Sequence, residues 1–292
     1  AEGLARTDEW LTGIGGEVPV TPIQPKTLFV PKRKVSLDVV LKSASEGTML
    51  REKDIVALFQ SRGTAVEEVC QAADELRSSS VGDVVRYVVN RNINYTNVCY
   101  YRCQFCAFSK GKLSENLRGH PYVLDLNEIV RRAQEAWQRG ATEVCLQGGI
   151  HPDFTGDTYL EICRAIRTAV PSMHIHAFSP LEIYQGAETL GIPLQSFLES
   201  LQRAGLGTLP GTAAEILDDE IRGIICPDKI TTEDWVQVIE TAHKIGIRTT
   251  ATIMFGHVDG PLNWARHLLV IRRLQERTAG ITEFVPLPFV AS

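Results

Sequence analysis

Three cysteines fall close together in this chain, in the string Tyr95-Thr-Asn-Val-Cys99-Tyr-Tyr-Arg-Cys103-Gln-Phe-Cys106-Ala-Phe. The spacing is C-x3-C-x2-C. A loop of that length can turn three thiolates toward one point, which suits an iron–sulfur cluster. A structural zinc site wants four closed ligands, and C-x2-C normally has a second pair elsewhere. Here the next candidates are His120 and Cys145, and neither belongs to a second knuckle. Three thiolates on a four-iron cluster leave one iron open to an outside ligand, which is a catalytic arrangement. Zinc and inert thiols stand as the alternatives. Cys70, Cys145, Cys163 and Cys226 read as small buried hydrophobes.

Further polar residues sit where strands end. Gln147-Gly148-Gly149 closes an apolar run, and glycine there lets the backbone approach a ligand, although Gly-Gly after a strand is also an ordinary turn. His174, His176 and Phe178 alternate, so they share one strand face, with Ser179 and Glu182 just beyond. Paired strand histidines are usually satisfied core residues, but near C-terminal strand ends of a barrel they line the active site. Glu215 follows a fourth apolar run. An ordinary reading makes it a carboxylate at a helix N-terminus. Thr250, Thr252 and Met254 alternate on a later strand that ends at Gly256-His257, with Asp259 two residues on.

The elements that must carry these residues follow a repeating pattern. Strand-length apolar runs recur at 88–97, 143–148, 173–178, 205–209, 247–255 and 281–287. Helical stretches lie between them at 126–139, 157–169, 194–204, 213–224 and 232–245, and the charge-dense 266–277 reads as a solvated helix face. Glycines at Arg139-Gly140-Ala141 and Ile245-Gly246-Ile247 mark helix ends. This α/β alternation predicts a parallel sheet, closed as a barrel or doubly wound. At least six β/α units are present, with the barrel open or truncated after the sixth strand. Residues 88–292 form this core. Residues 36–87 read as an N-terminal helical segment that includes a short helix from Val81 to Tyr87. Residues 1–35, with Gly13, Gly15 and Gly16 and then Pro19, Pro22, Pro25 and Pro31, read as a linker or extended tail.

Composition narrows the function classes. Lys and Arg total 30 against 35 Asp and Glu, so no basic excess draws the chain to nucleic acid or an anionic membrane. Seven cysteines, an odd count in a 292-residue chain without an 18-residue apolar run, argue against a secreted disulfide scaffold. The expectation is a reduced, cytoplasmic protein acting on small molecules.

The three-cysteine loop, with Phe105 just before its last cysteine, resembles the signature of the radical S-adenosylmethionine (SAM) superfamily. Leu146-Gln-Gly-Gly-Ile-His-Pro, His174-Ile-His-Ala-Phe-Ser-Pro-Leu-Glu182, Leu209-Pro-Gly-Thr-Ala-Ala-Glu215 and Glu283-Phe-Val-Pro-Leu-Pro-Phe289 narrow the resemblance to one subgroup. That subgroup holds the tyrosine-using FO synthase subunit of deazaflavin biosynthesis, which it resembles most, and aminofutalosine and cyclic dehypoxanthine futalosine synthases of the menaquinone pathway. The resemblance implies a TIM-like (β/α) barrel and a 4Fe-4S cluster on Cys99, Cys103 and Cys106. It implies Phe105 near the SAM adenine and the Gln147-Gly148-Gly149 turn at the SAM amino group, with Glu215 a candidate partner of the SAM ribose. From their places at strand ends, Ser179 is a further cofactor-binding candidate, and His176, His257 and Glu182 are the catalytic candidates. The implied substrates are L-tyrosine and 5-amino-6-(D-ribitylamino)uracil. An external electron donor, and a second FO synthase subunit or fused domain, are the implied partners. A non-catalytic iron–sulfur or zinc module is the rival from another class.

Overall fold

The computed structural model describes residues 36–106 and 121–290. In chain order its elements are α1 (Leu37–Ser45), α2 (Glu52–Phe59), α3 (Thr64–Val81), β1 (Asn90–Asn94), α4 (Leu126–Gln138), β2 (Glu143–Gln147), α5 (Gly156–Ala169) and β3 (His174–Ala177). There follow α6 (Pro180–Leu190), α7 (Leu194–Ala204), β4 (Thr208–Leu209), α8 (Asp219–Ile225), α9 (Thr232–Lys244), β5 (Arg248–Phe255), α10 (Pro261–Thr278) and β6 (Ile281–Pro288). The chain divides into two compact units. One comprises Val89–Pro210; the other joins the described residues up to Val88 to those from Gly211 onward.

In the first unit β1 to β4 pair in parallel, with Asn92, Cys145, His176 and Thr208 in one register row. Alternation sorts the side chains cleanly. Ile93, Val144, Leu146, Ile175, Ala177 and Leu209 are fully buried under the helices. The opposite face carries Asn92, Asn94, Glu143, Cys145, Gln147, His174, His176 and Thr208, none of them fully buried. Parallel sheets are ordinarily apolar on both faces; this one keeps a polar face. Two of the helices in this unit, α4 and α6, begin with side-chain caps. Asp125 accepts from the Glu128 N–H at α4, and Ser179 and Glu182 form a capping box at α6 with Pro180 in the first turn.

In the second unit β5 and β6 run parallel, Thr252 opposite Val285. Ile55 and Val56 of α2 pack on Ala265 and Leu269 of α10. The buried Arg222 guanidinium of α8 donates to the carbonyls of Ala214 and Ile230, both at 2.6 Å.

All six expected strands and the helical N-terminal segment are present, and Gly140 and Gly246 take the positive φ expected after α4 and α9. Four details differ. No helix covers Val81 to Tyr87: α3 ends at Val81, and Gly82 at φ +70° breaks it. The stretch 213–224 becomes helical only at Asp219, because Ala213 and Glu215 both have positive φ, so Glu215 is not a helix N-terminal carboxylate. α6 was not anticipated. Cys70 is exposed on α3, a helix without buried residues, whereas Cys163 and Cys226 are buried as expected. The tail at 1–35 and His120 lie outside the described residues.

Candidate functional site

The cysteine loop leaves β1 through Tyr95 and Thr96, which are buried. Its root is pinned from both sides. Leu124 N–H donates to the Tyr95 carbonyl at 2.8 Å, the Thr96 hydroxyl to the Tyr122 carbonyl at 2.8 Å, and Tyr122 N–H to Asn97 Oδ1 at 2.8 Å. Beyond the root, the loop runs alongside the glycine turn after β2. Gly149 N–H donates to the Thr96 carbonyl and Tyr100 N–H to the Ile150 carbonyl, each at 3.1 Å.

That contact explains the two glycines. A Cβ on Gly148 would lie 2.5 Å from the Tyr95 ring, and one on Gly149 would lie 2.2 Å from the Val98 carbonyl oxygen and 2.9 Å from Cys99 Cβ. Real Cβ atoms do not come so close, so only glycine lets the turn seat on the loop. Cys103 is buried, Cys99 and Cys106 are half-buried, and Cys106 N–H reaches the Cys103 carbonyl at 3.4 Å. None of the cysteines is in a disulfide. Three thiols on one short loop fit a 4Fe-4S cluster by donor chemistry. Among the described residues, no three His, Cys, Asp or Glu side chains stand preassembled around one point. Phe105 is half-buried on the same loop.

Glu182 and Ser179 stand at the end of β3. Glu182 is buried to 1% exposure. Its Oε2 accepts from Ser179 N–H and from the Ser179 hydroxyl, both at 2.6 Å. Its Oε1 accepts from the Tyr95 phenol and, at 3.3 Å, from Gly148 N–H. Burial raises the carboxyl pKa on balance, with the hydrogen bonds from Ser179, Tyr95 and Gly148 opposing it in part. Between β3 and α6, Phe178 takes φ +67° with its ring fully buried 4.9 Å from that of Tyr159.

On the polar face the Thr208 hydroxyl bridges two imidazoles, His176 Nδ1 at 2.7 Å and His174 Nε2 at 2.8 Å. Burial lowers the His176 pKa to about 4, so it is neutral at neutral pH and can accept or relay a proton through Thr208. Beside it burial pushes the Cys145 thiol up to about 11, so it stays protonated.

Two expected site residues belong to the second unit. Glu215 carries a 2.7 Å ion pair with Lys229, both largely buried. His257 follows β5, with its ring edge-on to Phe289 at 4.4 Å. Its Nδ1 is buried and finds no hydrogen-bond partner among the described residues. Asp259 shapes that turn by accepting from Gly256 N–H, His257 N–H and Trp264 Nε1. The structure thus brings the cysteine loop, Gln147-Gly148-Gly149, His176, Ser179 and Glu182 onto neighbouring strand ends of one unit. Sequence reasoning missed Tyr95 and Thr208. Tyr95 had one weak signal, an aromatic residue directly before the cysteine loop; Thr208 had none.

The profile of the Radical SAM superfamily matches residues 93–266. FO synthase of Streptomyces coelicolor is 48% identical over 248 residues, covering 85% of this chain and 28% of that protein. The 5-amino-6-(D-ribitylamino)uracil–L-tyrosine 4-hydroxyphenyl transferase of Methanocaldococcus jannaschii is 49% identical over 246 residues, covering 82% of this chain and 67% of that one. The chain therefore spans under a third of the FO synthase and two thirds of the transferase. Among solved structures, methylornithine synthase (PylB) superposes with TM-score 0.63 at 17% identity, over 86% of this chain and 68% of that one. The hydrogenase maturase HydG gives 0.66 at 13%, over 88% and 54%. These distant likenesses carry the fold, a TIM-like α/β architecture. With the profile running from β1 into α10 and relatives nearly half identical over most of its length, this chain belongs to the radical SAM superfamily, whose members use a 4Fe-4S cluster and SAM.

Proposed function

We propose that this chain is the catalytic core that joins the 4-hydroxybenzyl fragment of L-tyrosine to 5-amino-6-(D-ribitylamino)uracil in deazaflavin formation. The other products are 2-iminoacetate, methionine and 5′-deoxyadenosine. The observation that carries the reading is the 49% identity to a transferase of that name, of which this chain spans 67%. When bound by Cys99, Cys103 and Cys106, the cluster supplies the electron that splits SAM into methionine and a deoxyadenosyl radical.

The chain's own residues then have to bind, orient and keep water out. Gly148 and Gly149 let the turn after β2 seat against Tyr95, Val98 and Cys99, which sets the end of β2 beside the cysteine loop, where the amino acid end of SAM would bind. The polar face of β1 to β4 suits a ribityl-bearing pyrimidine, because Asn92, Asn94, Gln147 and Thr208 supply amides and a hydroxyl in registered rows. His176, neutral and hydrogen-bonded to Thr208, can take up the proton that the uracil releases when the adduct forms. His257 keeps its expected catalytic role on its own buried Nδ1, which finds no partner among the described residues. Holding the reacting atoms at near-attack distance matters here because a free primary radical is unselective. An electron donor, and a second FO synthase subunit or fused domain, complete the proposal.

The test is anaerobic reconstitution followed by incubation with tyrosine, the uracil, SAM and a reductant. A tyrosine–uracil adduct formed with deoxyadenosine is the expected result. Deoxyadenosine without adduct overturns the substrates and keeps the superfamily chemistry. Bound zinc with no SAM cleavage overturns the reaction.

A further inference from the structure

We infer that Tyr95 and Glu182 are positioning residues: through one buried carboxylate they clamp the Gly148-Gly149 turn to the root of the cysteine loop. The inference rests on the function proposed above only in taking that turn as the SAM-binding one. It moves Glu182 from the catalytic role that the sequence suggests to one exerted through its neighbours.

A capping box needs one carboxylate oxygen. Glu182 Oε2 fulfils that role, accepting from Ser179 N–H while the Ser179 hydroxyl accepts from Glu182 N–H at 3.3 Å. The second oxygen does something that a cap does not require. Oε1 leaves the helix end and takes the phenol of Tyr95, 87 positions earlier, and the N–H of Gly148, 34 positions earlier. One side chain therefore ties the ends of β1, β2 and β3.

Every partner of the carboxylate is a donor: two backbone N–H groups, a serine hydroxyl and a phenol. The two backbone N–H groups can only donate, one to each oxygen, so both Oε1 and Oε2 are held as acceptors. The geometry passes the constraint onward. The Tyr95 ring lies against Gly148 with no room for a Cβ, and it is boxed by Phe154, Tyr159 and Phe178 at centroid distances of 6.1, 6.5 and 6.2 Å. Gly149 bonds to Thr96 and abuts Val98 and Cys99. Freeing the carboxylate loosens Gly148 and Tyr95 together, while Gly149 stays bonded to Thr96.

Glu182→Gln keeps the volume but turns an amide N–H₂ toward donors; Tyr95→Phe removes a single donor. The full chain, before and after reconstitution, is followed by hydrogen exchange at Gly148 to Ile150, by iron content and by SAM kinetics. Exchange at the turn should quicken about tenfold in Glu182→Gln and about threefold in Tyr95→Phe, the scale of one hydrogen bond. In the reconstituted variants KM for SAM should rise by similar factors, with kcat and iron content within about twofold of wild type. Thr231→Ala, which removes the side-chain cap of α9 in the other unit, is the control; it should lower the melting temperature and move neither readout.

A Glu182→Gln that melts early but leaves turn exchange and KM at wild-type values makes Glu182 a helix cap and overturns the clamp. If that variant does not fold, Tyr95→Phe decides by the same readouts. If the wild type fails to cleave SAM, the functional reading falls, while turn exchange still decides the clamp.

Discussion

Glu182 in the first unit and Arg222 in the second are both buried among neutral groups, and the two beds are built differently. Glu182 in the first unit gathers donors from three strand ends spread over 87 positions. Arg222 in the second is 3% exposed and spends its donors on carbonyls within nine positions, those of Ala213, Ala214 and Ile230. Its nearest acid, Asp219, stands 3.9 Å away with a side chain 61% exposed, which adds little. A buried polar or charged group costs free energy unless its hydrogen-bonding capacity is filled, and both are filled. Glu182 joins distant segments beside the candidate site. Arg222 freezes one local loop, including the left-handed Ala213. Perturbing the first region should therefore show in chemistry, and perturbing the second in stability.

The largest test of that contrast is Cys103→Ala. Reconstituted protein should lose at least about a thousandfold in deoxyadenosine formation, equivalent to roughly 4 kcal/mol of barrier, with only a small shift in urea midpoint. More than a tenth of wild-type turnover would remove the functional pole of the contrast. Next comes Arg222→Met, expected to cost about 3 kcal/mol in urea unfolding because several buried carbonyls lose their donors. A loss below about 1 kcal/mol would show that the local bed is dispensable.

Acid should sharpen the picture of the second unit. His267 is fully buried, accepts the Leu217 N–H on Nδ1, and has its pKa lowered by burial to about 3. Unfolded, it titrates near its ordinary value of about 6.5. The unfolded chain thus binds the extra proton, and stability falls as pH drops through 6.5 toward 3, with His267 contributing up to about 1.4 kcal/mol per pH unit. Unfolding measured from pH 7 to 5 should show a shallower slope in His267→Gln; an unchanged slope would assign the acid sensitivity elsewhere. The smallest effect expected is Asp125→Ala at the start of α4, a loss of about 1 kcal/mol, read by thermal unfolding and leaving SAM cleavage intact.

Much of the architecture was readable because periodicity and punctuation are local. The strands came out within a few residues, and the glycine stops after α4 and α9 were visible as such. The errors have local causes too. Pro180 and Gly186 disguised α6 as a motif-bearing loop. Ala213 and Glu215 carry no mark of the positive φ that delays α8. Val84, Val85, Val88 and Val89 looked like element interior yet are exposed. The cysteine loop was legible from residue type and spacing alone. The clamp was not, because a contact between positions 95 and 182 leaves no trace in a single sequence.

Phe178 adds a point about assembly. A bulky side chain at φ +67° costs on the order of 1–2 kcal/mol of backbone strain. What offsets it is the ring's place beside Tyr95 and Tyr159. The two parts support each other: the turn is strained until the aromatic residues arrive, and they gain the Phe178 ring only when the turn forms. The C-terminal end of β3, which leads to Ser179 and Glu182, should therefore form and melt in one step.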